Sequence, residues 1–307
     1  MQIHQHWQGL AASARGTSVA MGNFDGVHLG HGAVISLARA KGPLGIITFE
    51  PHPREYFAPT APAFRLMNAE ARANRLAKLG VEHLFELPFD AQMAAFTPQA
   101  FVQQVLHLGL GISHIVVGAD FCFGKGRTGR ASDLQAIGTA HGIQVTIADL
   151  VKADDREISS TAIRAALAEG HPRAAAAMLG HWHRIEGAVI HGEKRGRTLG
   201  YPTANMALNG LHLPKFGVYA VKVDVLTGPQ TGSYHGAASL GIRPMFGENQ
   251  PNLETYLFDF NGDLYGQHLS VALIEHLRPE LNFAGLDGLL VQMAEDCTLA
   301  RKILADT

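Results

Sequence analysis

The strongest constraint on the fold is a regular alternation, from Thr17 onward, of short apolar runs with longer segments of helical period. Apolar runs rich in β-branched residues predict strands, and this alternation is typical of a parallel sheet with crossover helices. The helical segments each end in glycine, a common C-cap. The predicted strands are SVAMGNF, GPLGIITF, SHIVVGADF and IQVTIADL, and the predicted helices are HGAVISLARAKG, AEARANRLAKLG, PQAFVQQVLHLG and ASDLQAIGTAHG. Residues 1–181 therefore predict an α/β domain.

The pattern changes after ISSTAIRAALAEGHPRAAAAMLG, where two short Ala-rich helices end near His181. Strand-like runs separated by Gly, Pro and Asn follow, spaced as in an antiparallel barrel. These runs are RIEGAVIHG, GVYAVKVDVL, GSYHGAASLG, LETYLFDF and QHLSVALIEHL. The tail FAGLDGLLVQMAEDCTLARKIL alone keeps a helical period. Residues 182–307 therefore predict an antiparallel β-barrel domain with a C-terminal helix.

Composition and charge limit the kinds of binding partner that we expect. The chain has 307 residues and a formal charge of −2, so no strong positive field draws it to nucleic acid or to an anionic membrane. Cys122 and Cys297 are its two cysteines, which fits a reducing compartment. No apolar leader and no run of about 20 apolar residues is present. We expect a cytoplasmic monomer or weak homo-oligomer that acts on small molecules, without nucleic-acid or membrane partners.

The stretch GNFDGVHLGHG, residues 22–32, places His28 and His31 three residues apart among glycines. A zinc site would need further ligands, and Glu50 and His52 in TFEPHPREYF are the nearest candidates. Zinc motifs with a histidine pair usually lie on a regular helix or beside cysteine pairs, which this one does not. Two surface histidines are the simplest alternative in a chain that has 17.

A phosphate-binding turn is the third interpretation. The apolar strand VAMGNF runs into the glycine-rich turn, and a helix is predicted to begin near Gly30 with His31 in its first turn. A helix N-terminus offers unpaired N–H groups and partial positive charge, and imidazoles add donors. Neither a Walker P-loop nor a Rossmann fingerprint occurs. On these residues alone all three interpretations stay open.

A second motif is ISSTAIR, residues 158–164, which predicts a helix with capping Ser and Thr residues and Arg164 one turn along it. In isolation, a capped helix with a solvated arginine is the simpler interpretation. Together, however, HLGH and ISSTAIR resemble the HxGH signature and the closing motif of the nucleotidyltransferase superfamily, whose α/β domain is Rossmann-like.

Longer segments make the resemblance specific. With FDGVHLGH, the segments TFEPHPREYF and VGADFCFGKGRTG resemble the adenylyltransferase module of the bacterial bifunctional riboflavin kinase/FMN adenylyltransferases, also called FAD synthetases. HGEKRGRTLGYPTAN, PKFGVYAVKV, LGIRPMFG, ETYLFDFNGDLYG and the C-terminal helix resemble the riboflavin kinase module in the expected order. The resemblance runs from about Val19 to Arg301. It implies that riboflavin and ATP give FMN, and that FMN and a second ATP give FAD.

For adenylyl transfer, the resemblance implies that His28, His31 and Arg164 act on the triphosphate. The nucleotide-binding residues that it implies are Gly22, Asn23, Phe24, Ser159, Ser160 and Thr161. Because isoalloxazine is large and aromatic, flat apolar walls are needed, and the family match suggests Phe57 and Phe123, with Asp120 as a polar neighbour. Core packing is a rival role for both phenylalanines.

For the kinase, Thr203 and Asn205 alternate in an extended segment, so both oxygens can face one site and hold Mg²⁺. A barrel turn with solvated basic residues is the alternative, but the resemblance makes PTAN the metal and nucleotide motif.

Glu254 lies in an apolar, aromatic strand, where it either marks an edge or serves as the catalytic base. The resemblance to the family favours the base. The remaining predicted residues are Gly192, Lys194, Arg195, Gly196 and Gly200 for the nucleotide, and Arg301 for the flavin.

Two positions depart from the family pattern within the first module: Cys122 stands where arginine is common, and Arg130 where a small acidic or amide residue is common. We expect them to affect adenylyl transfer more than phosphorylation. An RNA-binding alternative would use the basic stretches GKGRTGR and EKRGR, but the charge balance and the lack of interleaved aromatics disfavour it.

Overall fold

The computed structural model describes residues 1–149, 152–153, 156–192, 199–245 and 248–307. Its packing divides the chain into two compact units. Residues 1–62 and 72–158 form the first unit, and residues 63–71 and 159–307 form the second.

The first unit contains a six-stranded parallel sheet in the order β1-β4-β3-β2-β5-β8. Short antiparallel ribbons join β6 to β7 and β9 to β10. The strands are β1 Gln2–His4, β2 Ser18–Met21, β3 Leu44–Glu50, β4 His83–Pro88, β5 His114–Gly118, β6 Cys122–Phe123, β7 Gly129–Arg130, β8 Gln144–Ala148, β9 Lys152–Ala153 and β10 Arg156–Glu157. The predicted parallel sheet is confirmed, and β1 and β4 are additions to the four predicted strands.

Helices flank this sheet, and the predicted helix around residues 98–110 differs from expectation. A short α-helical turn there continues as a π-helix, whose wider turns need more room than α-helical ones. The π-helix includes Gly109, where an added Cβ would lie 2.6 Å from the Trp7 carbonyl oxygen, so only glycine permits this close approach. The helices are α1 Leu29–Arg39, α2 Pro53–Phe57, α3 Ala69–Lys78, α4 Ala91–Ala95, α5 Pro98–Ala100, the π-helix Phe101–Leu110, α6 Ala131–Ala140, and the 3-10 turns Ala12–Ala14 and Lys125–Arg127.

The strand order fixes where a ligand can bind on this unit. From β2 the chain goes to β3 on one side and later to β5 on the other side, so the strand order reverses beside β2. In open α/β sheets, ligands bind outside the carboxyl ends of the strands at such a switch point. The residues that follow Met21 and Gly118 lie at that edge.

The second unit contains six antiparallel strands in the order β11-β16-β13-β14-β15-β12. An isolated bridge between Ile190 and Asn205 links the two ends of this order, so the sheet closes into a nearly complete barrel, as predicted. Strand β12 was not predicted. The strands are β11 Arg184–Ala188, β12 Ala204–Ala207, β13 Gly217–Val225, β14 Gly232–Met245, β15 Glu248–Leu257 and β16 His268–Arg278.

The described residues of this unit include the helices α7 Ser160–Glu169 and α8 Pro172–Leu179 and the predicted C-terminal helix Leu286–Ala305. The C-terminal helix packs its Ala300 and Leu304 against the outer face of the barrel, on Ala220, Phe258 and Ile274. Helices α7 and α8 form a separate apolar cluster that includes Leu66. The division of the chain into two packed units therefore does not coincide with the functional boundary predicted near His181. That functional boundary stays a prediction.

Candidate active sites

The turn that follows β2 has an unusual backbone. Phe24 and Val27 adopt left-handed φ angles of 51° and 42°, and Gly26 has a φ of 87°. Left-handed conformations in non-glycine residues cost free energy and concentrate at functional sites. The Gly22 N–H donates to the Ile47 carbonyl at 3.1 Å, which ties the start of the turn to β3. This turn leads the chain from the switch point into α1.

His28 and His31 form a reciprocal cap on α1. The His31 N–H donates to His28 Nδ1 at 3.4 Å, and the His28 N–H donates to His31 Nδ1 at 3.2 Å. Because each Nδ1 accepts a hydrogen bond, the ring N–H of each imidazole lies on Nε2. Both histidines of the predicted pair are therefore at a helix N-terminus with Nε2–H as their donor.

The two rings also stack, with centroids 3.7 Å apart and planes at 21°. Burial, and secondarily the neighbouring His28, hold the pKa of His31 well below its ordinary value, so this imidazole is neutral at neutral pH. Gly30 makes the arrangement possible, because an added Cβ would lie 3.0 Å from His28 Cε1. The glycine of HLGH thus leaves room for the first histidine ring.

The neighbouring predicted nucleotide residues are partly structural. The Phe24 side chain is buried, and its ring lies 5.0 Å from that of His31. The Asn23 carbonyl accepts a hydrogen bond from Thr48 Oγ1 at 3.2 Å. Phe24 therefore supports the histidine pair through packing, and nucleotide contacts of Gly22, Asn23 and Phe24 stay predictions.

The predicted flavin walls of the first unit lie in different environments. Phe57 is 67% exposed, and its ring contacts those of Tyr56 and Phe89 edge-on at 5.1 and 5.7 Å. Phe123 is 7% exposed and packs against Phe101 in the core. The exposed ring is available to a flat ligand, whereas the burial of Phe123 favours the rival packing role.

Asp120 follows β5 in the chain. So do Cys122 and Arg130, the two residues that differ from the family pattern. Asp120 is exposed and follows Gly118, so it is at the same sheet edge as the turn after β2. Cys122 and Arg130 are register partners in the β6–β7 ribbon, and Arg130 Nη1 donates to Cys122 Sγ at 2.8 Å. The two departures from the family pattern therefore form a single contact.

The ISSTAIR motif forms the start of α7, as predicted. Ser159 is the N-cap residue, and its Oγ accepts from the Ala162 N–H at 3.3 Å. The Arg164 Nε donates to the Phe64 carbonyl at 2.7 Å, and its guanidinium lies over the Phe64 ring. Ser159, Ser160, Thr161 and Arg164 belong to the second unit, whereas the histidine pair belongs to the first. Their joint action on one triphosphate stays a prediction.

The zinc alternative gains no support. Within the ranges that the structure describes, no three His, Cys, Asp or Glu residues are grouped so that they could hold a metal ion. His52 instead caps α2, with its Nδ1 accepting from the Arg54 N–H at 3.0 Å. Among the described residues, moreover, no helix has the length and apolarity needed to cross a bilayer.

In the second unit, the PTAN motif lines a cavity of about 340 Å³. Thr203 directly precedes β12 and Asn205 lies within it, and both residues line the cavity. The rest of the wall comes from Val189 and Gly192, from Leu257 at the end of β15, and from the turn that follows β15. The lining residues are Val189, Gly192, Pro202, Thr203, Ala204, Asn205, Leu257, Phe260, Asn261, Gly262, Asp263, Leu264 and Tyr265.

Glu254 lies directly opposite Asn205 in the β12–β15 register. Residues paired in this way project to the same face with Cβ atoms about 4.5–5.5 Å apart. Ala204 and Leu253, their sequence neighbours, point into the barrel core, so Asn205 and Glu254 share the outer face. The predicted base and one predicted metal ligand are thus adjacent, although they are far apart in sequence.

Asn205 is tightly confined. An added Cβ at Gly192 would lie 2.6 Å from Asn205 Nδ2 and 2.7 Å from its Cγ. On another side, Asn252 Nδ2 donates to Asn205 Oδ1 at 3.1 Å. Gly200 adopts a left-handed φ of 84°, which glycine tolerates. Lys194, Arg195 and Gly196 lie outside the described residues, as does the whole basic EKRGR stretch.

The predicted flavin residue Arg301 is held by its neighbours. Its guanidinium forms a fork with the Asp259 carboxylate, at 2.7 and 2.9 Å, and lies 4.3 Å from the Phe258 ring centroid. Hydrogen bonding from Arg301 lowers the pKa of the Asp259 carboxyl. Phe258 packs with the outer face and the C-terminal helix. A flavin contact by Arg301 stays a prediction.

Two parts of the site around the PTAN motif were not predicted from the sequence. The turn of residues 260–265 lines the cavity, and its Asn-Gly-Asp sequence is a turn signal that could have located it. The buried Asn252 has no local sequence signal, because its importance comes from a partner on another strand.

Two family profiles together cover most of the chain. The family described as FAD synthetase matches residues 10–162, and the family described as riboflavin kinase matches residues 179–304.

Curated relatives match over nearly the whole length. The bifunctional riboflavin kinase/FMN adenylyltransferase of Pseudomonas fluorescens is 39% identical, covering 99% of this chain and 98% of the relative. The protein of the same description from Listeria monocytogenes is 39% identical over 91% and 89%, and that from Escherichia coli K12 is 38% identical over 96% and 95%.

Among solved structures, a protein described as a macrolide-efflux protein from Streptococcus pneumoniae has a TM-score of 0.82 and 31% identity, covering 98% of both chains. Its description differs from those of the family profiles and curated relatives, which agree with one another.

Proposed function

The chain belongs to the family of bifunctional riboflavin kinase/FMN adenylyltransferases, and from this premise we propose that residues 182–307 carry the kinase and residues 1–181 the adenylyltransferase. The protein phosphorylates riboflavin with ATP to give FMN, and it adenylylates FMN with a second ATP to give FAD and pyrophosphate. The position of the two family matches, which end at residue 162 and restart at residue 179, supports the proposed boundary near His181.

The observation that carries the kinase assignment is the pairing of Glu254 with Asn205 beside the cavity. In the proposed reaction, the 5′-hydroxyl oxygen of riboflavin attacks the γ-phosphorus of ATP while Glu254 accepts the hydroxyl proton. The bond from this phosphorus to the ADP oxygen breaks. Phosphoryl transfer depends mainly on alignment and charge stabilisation, so a single carboxylate base beside a nucleotide cavity is sufficient.

Thr203 and Asn205 fit a magnesium ion. A hydroxyl and an amide oxygen are the hard donors that Mg²⁺ prefers, and a cavity of about 340 Å³ leaves space for the water ligands that it retains. When bound, Mg²⁺ would neutralise charge on the phosphates. Gly192 and Gly200, with Lys194, Arg195 and Gly196, complete the proposed nucleotide loop.

For adenylyl transfer, an ionised FMN phosphate oxygen attacks the α-phosphorus of ATP, and pyrophosphate leaves. No strong protein base is required, because the nucleophile is already ionised. The protein must position the triphosphate and stabilise its charge. The reciprocal cap supports this role for His28 and His31, because it places both Nε2–H donors at a helix N-terminus. Asn23, Ser160, Thr161 and Arg164 complete the proposed set.

We propose Phe57 as a flavin wall of the adenylyltransferase, supported by its 67% exposure and its aromatic neighbours. We also propose Asp120 and the buried Phe123 as flavin contacts of the adenylyltransferase. For the kinase, the proposed flavin contact is Arg301, which is paired with Asp259. We also propose that the protein is a cytoplasmic monomer or weak homo-oligomer. Sedimentation of the purified chain at several concentrations tests the oligomeric state.

Two variants test the assignment of the sites. Replacing His31 by alanine should abolish most conversion of supplied FMN to FAD and leave phosphorylation of riboflavin intact. Replacing Glu254 by glutamine should have the opposite effect. Each variant is the folding control for the other, because both activities are measured on both proteins. Equal loss of both activities in a folded His31→Ala protein would contradict this division.

A further inference from the structure

Asn252 is a neighbour of the proposed kinase site and contacts it at Asn205. It is on β15, two residues before Glu254 and on the same face, and it is 1% exposed. Its Nδ2 donates to Asn205 Oδ1 at 3.1 Å. In the β12–β15 register, Asn252 is opposite Ala207 and therefore diagonal to Asn205. Diagonal neighbours of this kind are within reach of each other's side chains.

The amide of Asn205 has little freedom to move away from this contact. The Gly192 backbone closes one side, where a Cβ would lie within 2.6–2.9 Å of all three amide atoms. Its own Nδ2 faces the Thr203 carbonyl oxygen at 3.5 Å. An asparagine amide can present either oxygen or nitrogen in one direction. The donor on Asn252 selects the orientation in which Oδ1 accepts.

The oxygen of the Asn252 amide is unfavourable for stability. Within the described part of the chain, Asn252 Oδ1 has no hydrogen-bond partner although it is buried. A buried acceptor without a donor costs free energy, and an apolar side chain of similar size would avoid this cost. An asparagine here thus carries a stability cost that opposes the gain from its hydrogen bond to Asn205.

We propose that Asn252 is a positioning residue for the kinase: its Nδ2 occupies one lone pair of Asn205 Oδ1, which fixes the orientation of that amide and leaves the second lone pair of the oxygen for the cation that accompanies ATP. This inference rests on the proposed role of Asn205 as a Mg²⁺ ligand. Hydrogen bonds to metal ligands commonly set ligand orientation, and their loss weakens metal binding by about 10–100-fold.

The test uses the full chain and three substitutions. Asn252→Leu removes the donor together with the unpartnered acceptor, and Asn252→Asp removes the donor but keeps the shape. Thr255→Val is the matched control. Thr255 is also buried on β15, and its Oγ1 has no hydrogen-bond partner among the described residues. Its side chain, however, lies on the opposite face of the strand from Asn252. Three quantities are measured: ADP affinity with and without Mg²⁺ by calorimetry, the Mg²⁺ concentration that gives half-maximal kinase rate, and urea unfolding.

We expect Asn252→Leu to weaken Mg²⁺-dependent ADP binding by about tenfold or more. Its stability should equal or exceed that of the parent chain, and its conversion of supplied FMN to FAD should be unchanged. Asn252→Asp should be worse for Mg²⁺, because a carboxylate attracts the Asn205 NH₂ and turns Oδ1 away. Thr255→Val should keep the parental Mg²⁺ dependence.

Parental Mg²⁺ dependence in both Asn252 variants would overturn the inference, as would parallel loss of stability and of both activities. If Asn252→Leu folds poorly, Asn252→Ala carries the same expectation without added bulk. Asn205→Ala separates the inference from its premise. If that variant loses Mg²⁺-dependent ADP binding while the Asn252 variants do not, only the positioning role fails. If Asn205→Ala also binds normally, the proposed metal site itself is wrong.

Discussion

Acid should destabilise the second unit through one buried histidine, His183. This residue is 3% exposed and comes directly before β11. Burial, followed by the neighbouring His181 and His212, lowers its pKa to about 3. In the unfolded chain the same imidazole titrates near 6.5. Between these two values only the unfolded chain binds the proton, so the folded state loses stability as the pH falls from 6.5 toward 3.

The expected loss between pH 7 and pH 5 is about 2 kcal/mol, from the free energy of protonating an unfolded-state group of pKa 6.5 at pH 5. Urea unfolding of a Trp7→Phe chain isolates this effect, because Trp182 is then the only tryptophan and is adjacent to His183. We expect His183→Gln to lose about 2 kcal/mol less than the parent chain between these pH values.

His235→Gln, which replaces an exposed histidine of the same unit, controls for the loss of a histidine as such. Comparing the change with pH, rather than the absolute stability, removes any cost of the substitution itself. If His183→Gln and the parent chain lose the same free energy of unfolding from pH 7 to pH 5, a neutral buried imidazole at this position is refuted.

Three further substitutions test the packing at both sites and in the first unit. In Gly192→Ala, a Cβ 2.6 Å from Asn205 Nδ2 must displace that amide, so kinase kcat/KM should fall by about tenfold to a hundredfold while FAD formation from supplied FMN persists. In Gly30→Ala, a Cβ 3.0 Å from His28 Cε1 tilts the ring, so FAD formation should fall by about tenfold and riboflavin phosphorylation should persist, as separate product assays will show. Arg72→Leu removes a buried guanidinium that lies 2.9 Å from Glu50 and 2.6 Å from Glu86, and the free energy of unfolding should fall by about 3 kcal/mol. An unchanged melting temperature would contradict the last prediction.

The local sequence pattern predicted most of the fold, and each failure has an identifiable physical cause. The four apolar, β-branched runs of the first half are strands of the parallel sheet. Strand β4 escaped prediction because Glu86 and Pro88 interrupt its apolar run, although the Glu86 charge is compensated by Arg72. The π-helix was predicted as an ordinary helix, because residue periodicity hardly distinguishes the two and the Trp7 contact at Gly109 is not local.

The candidate sites show the same limit. The predicted helix start with His31 in its first turn is confirmed, but the mutual cap of His28 and His31 depends on side-chain geometry that spacing alone does not fix. Sequence reasoning located Asn205 and Glu254 separately, whereas their direct opposition follows from the barrel register. Asn252 was missed because its partner Asn205 lies on another strand.

The central claim is that one chain both makes FMN and consumes it. The most direct measurement is a time course of riboflavin, FMN and FAD, separated by chromatography, after mixing the purified chain with riboflavin, ATP and Mg²⁺. We predict that FMN appears first and that FAD with pyrophosphate follows. Formation of neither flavin product by the folded chain would contradict the account, and FMN without FAD would contradict the claim for the adenylyltransferase.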